Sequence, residues 1–265
     1  MATPFNENHL PLEDLEKIGL FKNGKILLEK EDMDALLSGR RTELVTLHNL
    51  KADGFAIEQL DAKLSLEPDL DHKVILRIHP IYNEPQLHPL LLAHEAEHLQ
   101  MGKISTLQKT YQDGGLQKAL QFEYDPETRE FISYDPAKVN APLKVNGETL
   151  TNKQKQDFRN GALVTLADGT KLQYRAADRK GVLSDRPVLI LSVLLDGGIS
   201  YLLIRGIRNL FNKHEPQKVE QTKGFTEAMK ELDDQLKEHK QNQNRQRQTG
   251  LVEQQGRDYP RKITA

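Results

Sequence analysis

The sequence has no cysteine. Disulfides, thiolate metal ligands and a cysteine nucleophile are therefore excluded. The absence is typical of a reducing compartment, and we predict a cytoplasmic location. A charge excess of one sign is also lacking, because the formal net charge is −2 for 265 residues. Nucleic acid or an anionic membrane would have to be bound by a local basic patch, since the chain as a whole does not attract polyanions.

Apolar residues are few as well. They form 37% of the chain against 29% for charged residues, and the mean hydropathy is −0.64. This is low for one compact globule, so we expect part of the length to be a solvated tail. The N-terminal residues lack the basic and apolar regions of a secretory signal. The longest apolar run, 188–207, carries Asp196 in its middle, which costs about 3 kcal/mol in a bilayer. We predict buried core there and no membrane contact.

The pattern of apolar residues predicts an α+β fold with an N-terminal domain at residues 1–145. Its first part is predicted to hold two short helices, each with a glycine just past its end, followed by an antiparallel meander of three strands. Its second part should hold a helix, an amphipathic stretch and a hairpin around the turn Asp125-Pro126-Glu127-Thr128. The helices are expected at 11–19, 30–37 and 89–101, the meander strands at 42–47, 56–66 and 73–78, the amphipathic stretch at 104–111, and the hairpin strands at 119–124 and 130–134.

A smaller helix-and-hairpin domain is predicted at residues 146–213. Thr151 is the expected N-cap of a helix that ends at Gly161, and Ala-Asp-Gly-Thr at 167–170 predicts the turn of a hairpin. The apolar stretch 188–195 fits either a strand or a helix, and periodicity does not decide between them. Residues 199–211 are expected to be helical.

The segment 214–265 is predicted to form a helix and a disordered basic tail. The helix at 225–240 has Met229, Leu232 and Leu236 on one narrow stripe, which is typical of a surface helix that binds a protein partner. Residues 241–265 are rich in glutamine, asparagine and arginine and should be disordered.

This basic tail is also the predicted nucleic-acid site. From Lys240 onward six basic residues face two acidic ones, an excess of +4. Such residues give salt-sensitive binding that is independent of sequence. Arg40 and Arg41 would extend the patch, and a purely solubilising tail is the alternative. The candidate residues of the tail are Arg245, Arg247, Arg257, Arg261 and Lys262.

One motif points to catalysis, His94-Glu95-Ala96-Glu97-His98. Two histidines four apart lie on one face of a helix, as zinc requires, and a glutamate after the first is the usual general base of zinc peptidases. Three features argue against this interpretation. Glu97 occupies a position that is usually apolar, no third ligand is obvious (Glu123 or Glu127 would have to serve), and Met101 replaces the glycine of the longer motif. We therefore favour a helix with two half-exposed histidines. His72, His79 and His88 lie near this helix in sequence and could enrich a metal site, but we expect them to be single histidines at strand ends and in loops.

Five blocks of the chain resemble a family of uncharacterised domains that is associated with conjugative transposons and other mobile elements of Bacteroidetes. The similarity spans about residues 5–212, and its most specific parts are EYDPETREF and DGGISYLL. The resemblance implies a cytoplasmic protein encoded with transfer or DNA-processing functions, and it assigns no residue a catalytic role. The blocks are 12–47 (beginning LEDLEKIGL), 123–131 (EYDPETREF), 145–161 (VNGETLTNKQKQDFRNG), 166–174 (LADGTKLQY) and 191–208 (LSVLLDGGISYLLIRGIR).

Together these observations predict a non-catalytic accessory or binding protein of a mobile genetic element. It is expected to act through a protein partner or through nucleic acid, with no cofactor, no bound metal and no catalytic residue. The alternative is a zinc-dependent hydrolase that uses His94, Glu95 and His98. The sequence leaves the oligomeric state open.

Overall fold

The computed structural model describes residues 5–52, 54–69, 71, 73–195, 198–211 and 216–255. Within these residues the chain forms five α-helices and sixteen β-strands, and nearly all strand pairs are antiparallel. The predicted α+β class is therefore confirmed.

The N-terminal part is a three-stranded meander with two helices on one face. Helices α1 (Leu12–Lys17) and α2 (Lys30–Leu37) lie where they were predicted. Leu15 and Leu36 are fully buried in the same core as Leu64 of the central strand. The strands are β1 (Phe21–Lys22) and β2 (Lys25–Ile26), which form a small hairpin, and β3 (Val45–Ala52), β4 (Phe55–Pro68) and β5 (Val74–Pro80), which form the predicted antiparallel meander.

The middle part is a second three-stranded sheet with one helix. Helix α3 (Ala93–Gln100) begins four residues later than predicted and packs Ala96 and Leu99 against Phe122. The strands are β6 (Leu107–Asp113), which takes up most of the amphipathic stretch, and β7 (Leu116–Asp125) and β8 (Glu130–Tyr134). The predicted hairpin is confirmed, because Asp125 pairs with Glu130 across the turn.

The next part contains two four-stranded sheets and helix α4 (Asn152–Arg159). Thr151 is the N-cap of α4, since its hydroxyl accepts a hydrogen bond from the N–H of Gln154 at 3.2 Å. One sheet has the order β10-β9-β14-β15 and the other β11-β12-β13-β16. Their strands are β9 (Lys144–Val145), β10 (Glu148–Thr149), β11 (Val164–Thr165), β12 (Lys171–Tyr174), β13 (Val182–Ser184), β14 (Val188–Leu195), β15 (Gly198–Arg205) and β16 (Arg208–Asn209). The predicted boundary at 145/146 falls in the β9–β10 turn, and the division into domains stays a prediction.

The predicted helix at 199–211 is wrong. Strand β15 pairs with β14 at eight successive positions, from Leu195 opposite Gly198 to Val188 opposite Arg205. The stretch 188–195, for which the sequence fitted either a strand or a helix, is also a strand. Long-range pairing decided both segments, because a hydrophobic run fits either structure until its partner is known. Gly206, with φ of 61°, ends β15 in a turn that leads to β16.

The apolar run therefore forms a hairpin, and Leu189 and Ile190 of β14 are buried as predicted. Among the described residues, no helix combines the length and the apolar character that crossing a bilayer requires.

Helix α5 (Lys223–Gln255) is longer than the predicted helix at 225–240. It continues through residues that were expected to be disordered, because glutamine, arginine and glutamate favour helix and no proline interrupts the chain between Pro216 and Pro260. Residues 256–265 lie outside the described residues. Phe225, Ala228 and Leu232 are buried where α5 packs on β14 and β15, whereas Leu236 is 51% exposed. Most of the predicted stripe thus contacts the protein's own sheet.

Gln235 ties α5 to the free edge of β15. Its Oε1 accepts a hydrogen bond from the N–H of Tyr201 at 3.1 Å, and its Nε2 donates to the carbonyl of Ile199 at 2.5 Å. One side-chain amide thus replaces the peptide group of a neighbouring strand, and it protects an edge that would otherwise be open to pairing.

We predict that Gln235→Ala lowers the free energy of unfolding by about 1–2 kcal/mol, since two hydrogen bonds to the strand edge are lost. Gln235→Glu should be similarly destabilising, because it keeps the acceptor for Tyr201 but sets an oxygen against the carbonyl of Ile199. Urea denaturation followed by circular dichroism measures the effect. Glu238→Ala, at an exposed position of the same helix, is the control. Equal stability of Gln235→Ala and this control would contradict the proposed edge contact.

Candidate functional site

A group of buried charges lies where β4, the β7–β8 turn and the loop at 175–180 meet. Ala62 and Leu64 face the apolar core, so Lys63 points to the opposite face of β4. Its ammonium contacts Asp125 Oδ2 at 2.9 Å, Glu127 Oε2 at 2.7 Å and the carbonyl of Ala177 at 3.0 Å. The side chains of Lys63 and Asp125 are each about 1% exposed. All three protons of a buried ammonium therefore have acceptors.

Arg41 and His79 extend this cluster along the β7–β8 turn. Arg41 Nη1 donates to Glu130 Oε2 at 2.6 Å and to the hydroxyl of Thr128 at 3.1 Å. His79 contacts Glu130 Oε1 through Nδ1 at 3.3 Å and the hydroxyl of Ser65 through Nε2 at 2.9 Å. Burial raises the pKa of Glu130, but the hydrogen bond with His79 and the charge of Arg41 outweigh it and lower the pKa to about 2.

Two further arginines join the 175–210 region to the N-terminal part. Arg208 pairs with Glu43, with Glu127 at 3.1 Å and with Asp178 at 3.4 Å. Arg179 pairs with Glu29, Asp32 and Glu43 at distances of 3.1–3.6 Å. These ion pairs hold the loop at 175–180 against α2 and the chain that follows it.

The proposed extension of a basic patch by Arg40 and Arg41 is wrong. Arg41 is 8% exposed and bound within the cluster, and Nε of Arg40 donates to the carbonyl of Arg179 at 3.0 Å. Burial lowers the pKa of Arg40. The charge of Arg41 is directed into the protein, because its partners Asp125 and Glu130 come from the two ends of the β7–β8 turn.

Glu123 is a second buried carboxylate of β7. It is fully buried, its Oε1 accepts a hydrogen bond from the N–H of Ala177 at 2.5 Å, and its Oε2 lacks a hydrogen-bond partner. Burial raises the pKa of Glu123, against the opposing charge of Arg175 at 3.8 Å. A carboxyl group with a raised pKa is a candidate for catalysis, but Glu123 is fully buried and so is closed to a substrate.

The His94–His98 motif lies on α3 as predicted, but its glutamate is already bound. Glu95 Oε1 contacts Nζ of Lys109 at 2.6 Å, and Oε2 accepts the N–H of Leu92 at 2.8 Å. The hydrogen bond from Lys109 lowers the pKa of Glu95, which makes this carboxylate a poorer general base. The imidazole centroids of the two histidines lie 6.3 Å apart at 82°.

No group of three or more metal-ligating side chains occurs among the residues that the structure describes. The neighbouring histidines have other contacts: His79 belongs to the ionic cluster, and His88 packs on Phe122 with ring centroids 4.7 Å apart. His72 lies outside the described residues. The zinc-hydrolase alternative therefore remains a hypothesis without support from the geometry of α3.

The predicted nucleic-acid residues divide between two regions. Arg245 and Arg247 lie on α5, beyond the turns that pack on the sheet. Arg257, Arg261 and Lys262 lie outside the described residues. Their role stays a prediction.

The sequence analysis missed a cavity of about 390 Å³ beside the first turns of α5. Its polar side chains include Asn146, Arg186 and Arg205. These residues come from the β9–β10 turn, the start of β14 and the end of β15, so no local motif could have pointed to the cavity.

We predict that Lys63→Met lowers the free energy of unfolding by about 3 kcal/mol, because it removes the nearest cation of the buried Asp125 and leaves only Arg41, at 3.6 Å. Thermal and urea denaturation measure the loss. The matched control is Lys17→Met, which removes an exposed pair with Asp14 and should change stability by less than about 1 kcal/mol. Similar stabilities of the two variants would show that the buried charges are dispensable.

The lowered pKa of Glu130 predicts that the stability of the protein decreases at acidic pH. Its pKa falls from 4.5 to about 2 on folding, so its contribution is complete above pH 4.5 and is lost as the pH falls toward 2. Glu130→Gln should be less stable than the wild type at pH 7, on the order of 2 kcal/mol, and the difference should shrink between pH 4.5 and 2. Urea titrations at several pH values test this. A difference that stays constant down to pH 2 would contradict the assignment.

Comparison with known proteins adds one match. Residues 5–90 match the model of a family described as "Protein of unknown function (DUF4099)". This segment is 86 of 265 residues and contains α1, α2 and strands β1 to β5. No curated protein and no solved structure matches the chain. The N-terminal third is therefore similar to an uncharacterised domain family.

Proposed function

We propose that this chain is a non-catalytic accessory protein of a mobile genetic element, and that it binds nucleic acid through the second half of α5 and the basic residues that follow. The proposal rests on the length of α5, which extends well beyond the turns that pack on the sheet. Its first turns pack on the β14–β15 hairpin, and the helix then continues for 20 residues past Gln235, which corresponds to about 30 Å. Every described side chain from Leu236 to Gln241 is exposed.

The charge of this region supports the proposal. The six basic residues from Lys240 onward exceed the acidic ones, Glu253 and Asp258, by four. Each lysine or arginine that contacts a phosphate releases a counterion, so the affinity should fall steeply with salt and depend little on base sequence. Of these residues, Lys240, Arg245 and Arg247 belong to α5.

One further observation favours binding over catalysis. The buried acids and bases that would be candidates for catalysis are held in ion pairs, Lys63 with Asp125 and Glu130 with Arg41.

Nucleic acid is favoured over a protein partner by the stripe Met229, Leu232 and Leu236 that was first assigned to such a partner. Met229 packs on the protein's own sheet and Leu232 is buried, which leaves only Leu236 exposed. The mobile-element context rests on the resemblance of the five sequence blocks.

The test compares three forms of the full chain by fluorescence anisotropy with labelled single-stranded and duplex DNA. The wild type should bind at 50 mM salt, and log Kd should rise with log salt with a slope of about 3–4. A variant with Arg245, Arg247, Arg257, Arg261 and Lys262 changed to Gln should bind at least about tenfold more weakly and have a shallower slope.

The control has the same loss of charge at exposed lysines elsewhere on the chain, and it should retain most of the affinity. If the wild type does not bind DNA at 50 mM salt, or if both variants lose affinity equally, the nucleic-acid function is incorrect. The control substitutions to Gln are at Lys17, Lys22, Lys25, Lys30 and Lys103.

A further inference from the structure

The cavity beside α5 has the size and lining of a small-molecule site. Its volume of about 390 Å³ is within the usual range for such sites, roughly 300–1,000 Å³. One wall is apolar and is formed by Pro187, Val188, Phe225 and Met229. The remaining lining is mostly cationic or hydrogen-bonding, which suits a ligand with an apolar body and one charged group.

The cations of this cavity exceed its anions. Arg186, Arg205 and Lys218 line it together with one carboxylate, Glu220. Lys218 pairs with Asp185 at 2.9 Å, but Arg186 and Arg205 have no carboxylate within 4.0 Å among the described residues. Arg186 is only 8% exposed, and its guanidinium is held by the hydroxyl of Thr170 at 2.6 Å and the carbonyl of Glu220 at 2.5 Å. These acceptors are neutral, so the charge of Arg186 stays uncompensated by an ion pair.

Asn146 gives an independent indication of a missing acceptor. It is 2% exposed, and its Oδ1 accepts the N–H of Ile190 at 3.0 Å, which leaves Nδ2 as the free donor. Nδ2 is buried and has no hydrogen-bond partner. An unsatisfied buried donor costs about 1–3 kcal/mol, and because Asn146 also lines the cavity, a small movement of its amide would bring Nδ2 to an anionic oxygen there and remove this cost.

The start of α5 completes the site. Thr222 caps the helix, since its hydroxyl accepts the N–H of Phe225 at 3.2 Å. A Cβ on Gly224 would lie 2.4 Å from the carbonyl oxygen of Asn146, so only glycine lets the helix begin this close to the β9–β10 turn. The first turn of a helix carries a partial positive charge and unpaired N–H groups, both of which favour an anion nearby.

We propose that this cavity binds a phosphate monoester attached to a small apolar or aromatic group. The polar lining comes from four segments and includes two arginines and Asn146, and a phosphate with three terminal oxygens offers these donors more acceptors than a carboxylate does. The lining holds three cations and one carboxylate, and because Asp185 already pairs with Lys218, Arg186 and Arg205 remain to bind the negative charge of a monoester. The proposal does not depend on the nucleic-acid function, because none of these residues lies in the basic segment from Lys240 onward.

Isothermal titration calorimetry on the full chain tests the proposal with adenosine 5′-monophosphate as the probe. This nucleotide should bind saturably and at least about tenfold more tightly than inorganic phosphate, adenosine or benzoate. A short oligonucleotide with a 5′-phosphate, titrated into the variant that lacks the five basic residues of the tail, distinguishes the source of the monoester: tighter binding than the free nucleotide indicates a strand end, and weaker binding indicates a free nucleotide. No saturable binding of either phosphomonoester at millimolar concentration, or a preference for benzoate, would overturn the proposal.

Two variants locate the binding. Arg205→Gln removes an exposed cation of the lining, and Asn146→Asp keeps the acceptor for Ile190 while it places a negative oxygen at Nδ2. Each should weaken nucleotide binding at least about tenfold. Arg77→Gln, on the distant strand β5, should bind as the wild type does. The variant that lacks the five basic residues of the tail should also bind normally, so failure of the nucleic-acid function and failure of this site are distinguishable. Wild-type affinity in Arg205→Gln would contradict the assigned site.

Discussion

The contact of Lys63 with Asp125, Glu127 and the carbonyl of Ala177 is the interaction on which the arrangement of this protein depends. An ammonium that is removed from water is tolerated only when its partners surround it. The three acceptors come from the β7–β8 turn and the loop at 175–180, so both must lie against β4. Arg41, Arg179 and Arg208 repeat this arrangement at the edges of the same junction.

Charged residues of the segment that matches the family model are bound by carboxylates outside that segment. The matching segment, residues 5–90, contains Lys63, Arg41 and His79, whereas the carboxylates that contact them lie at 125–130. The segment has its own apolar core beneath α1 and α2. On its opposite face, however, Lys63 is buried and bound by later parts of the chain. The match therefore covers a structural layer whose second face is completed elsewhere in the protein.

The two proposed binding regions both depend on how α5 packs on the rest of the protein. The close approach of Gly224 to Asn146 places the first turn of the helix over the β9–β10 turn and forms a wall of the cavity. The contacts of Phe225, Leu232 and Gln235 then align the helix along β14 and β15. From Leu236 to Gln241 every described side chain is exposed, and the sequence after Gln235 consists mostly of polar and basic residues. One element thus supports a folded site at its start and a charged surface toward its end.

Local chemistry in the sequence was sufficient for α1, α2, the cap at Thr151 and the hairpin turn after Asp125, because glycines, caps and turn residues act within a few positions. It also marked the basic excess after Lys240. The sequence was insufficient for β15, since an apolar stretch becomes a strand only when a partner such as β14 is available. The buried ion pairs of Lys63, the unsatisfied amide of Asn146 and the cavity could not be predicted from the sequence either. The groups that form them are far apart along the chain. Burial and long-range pairing are properties of the folded chain, and only the tertiary structure decided them.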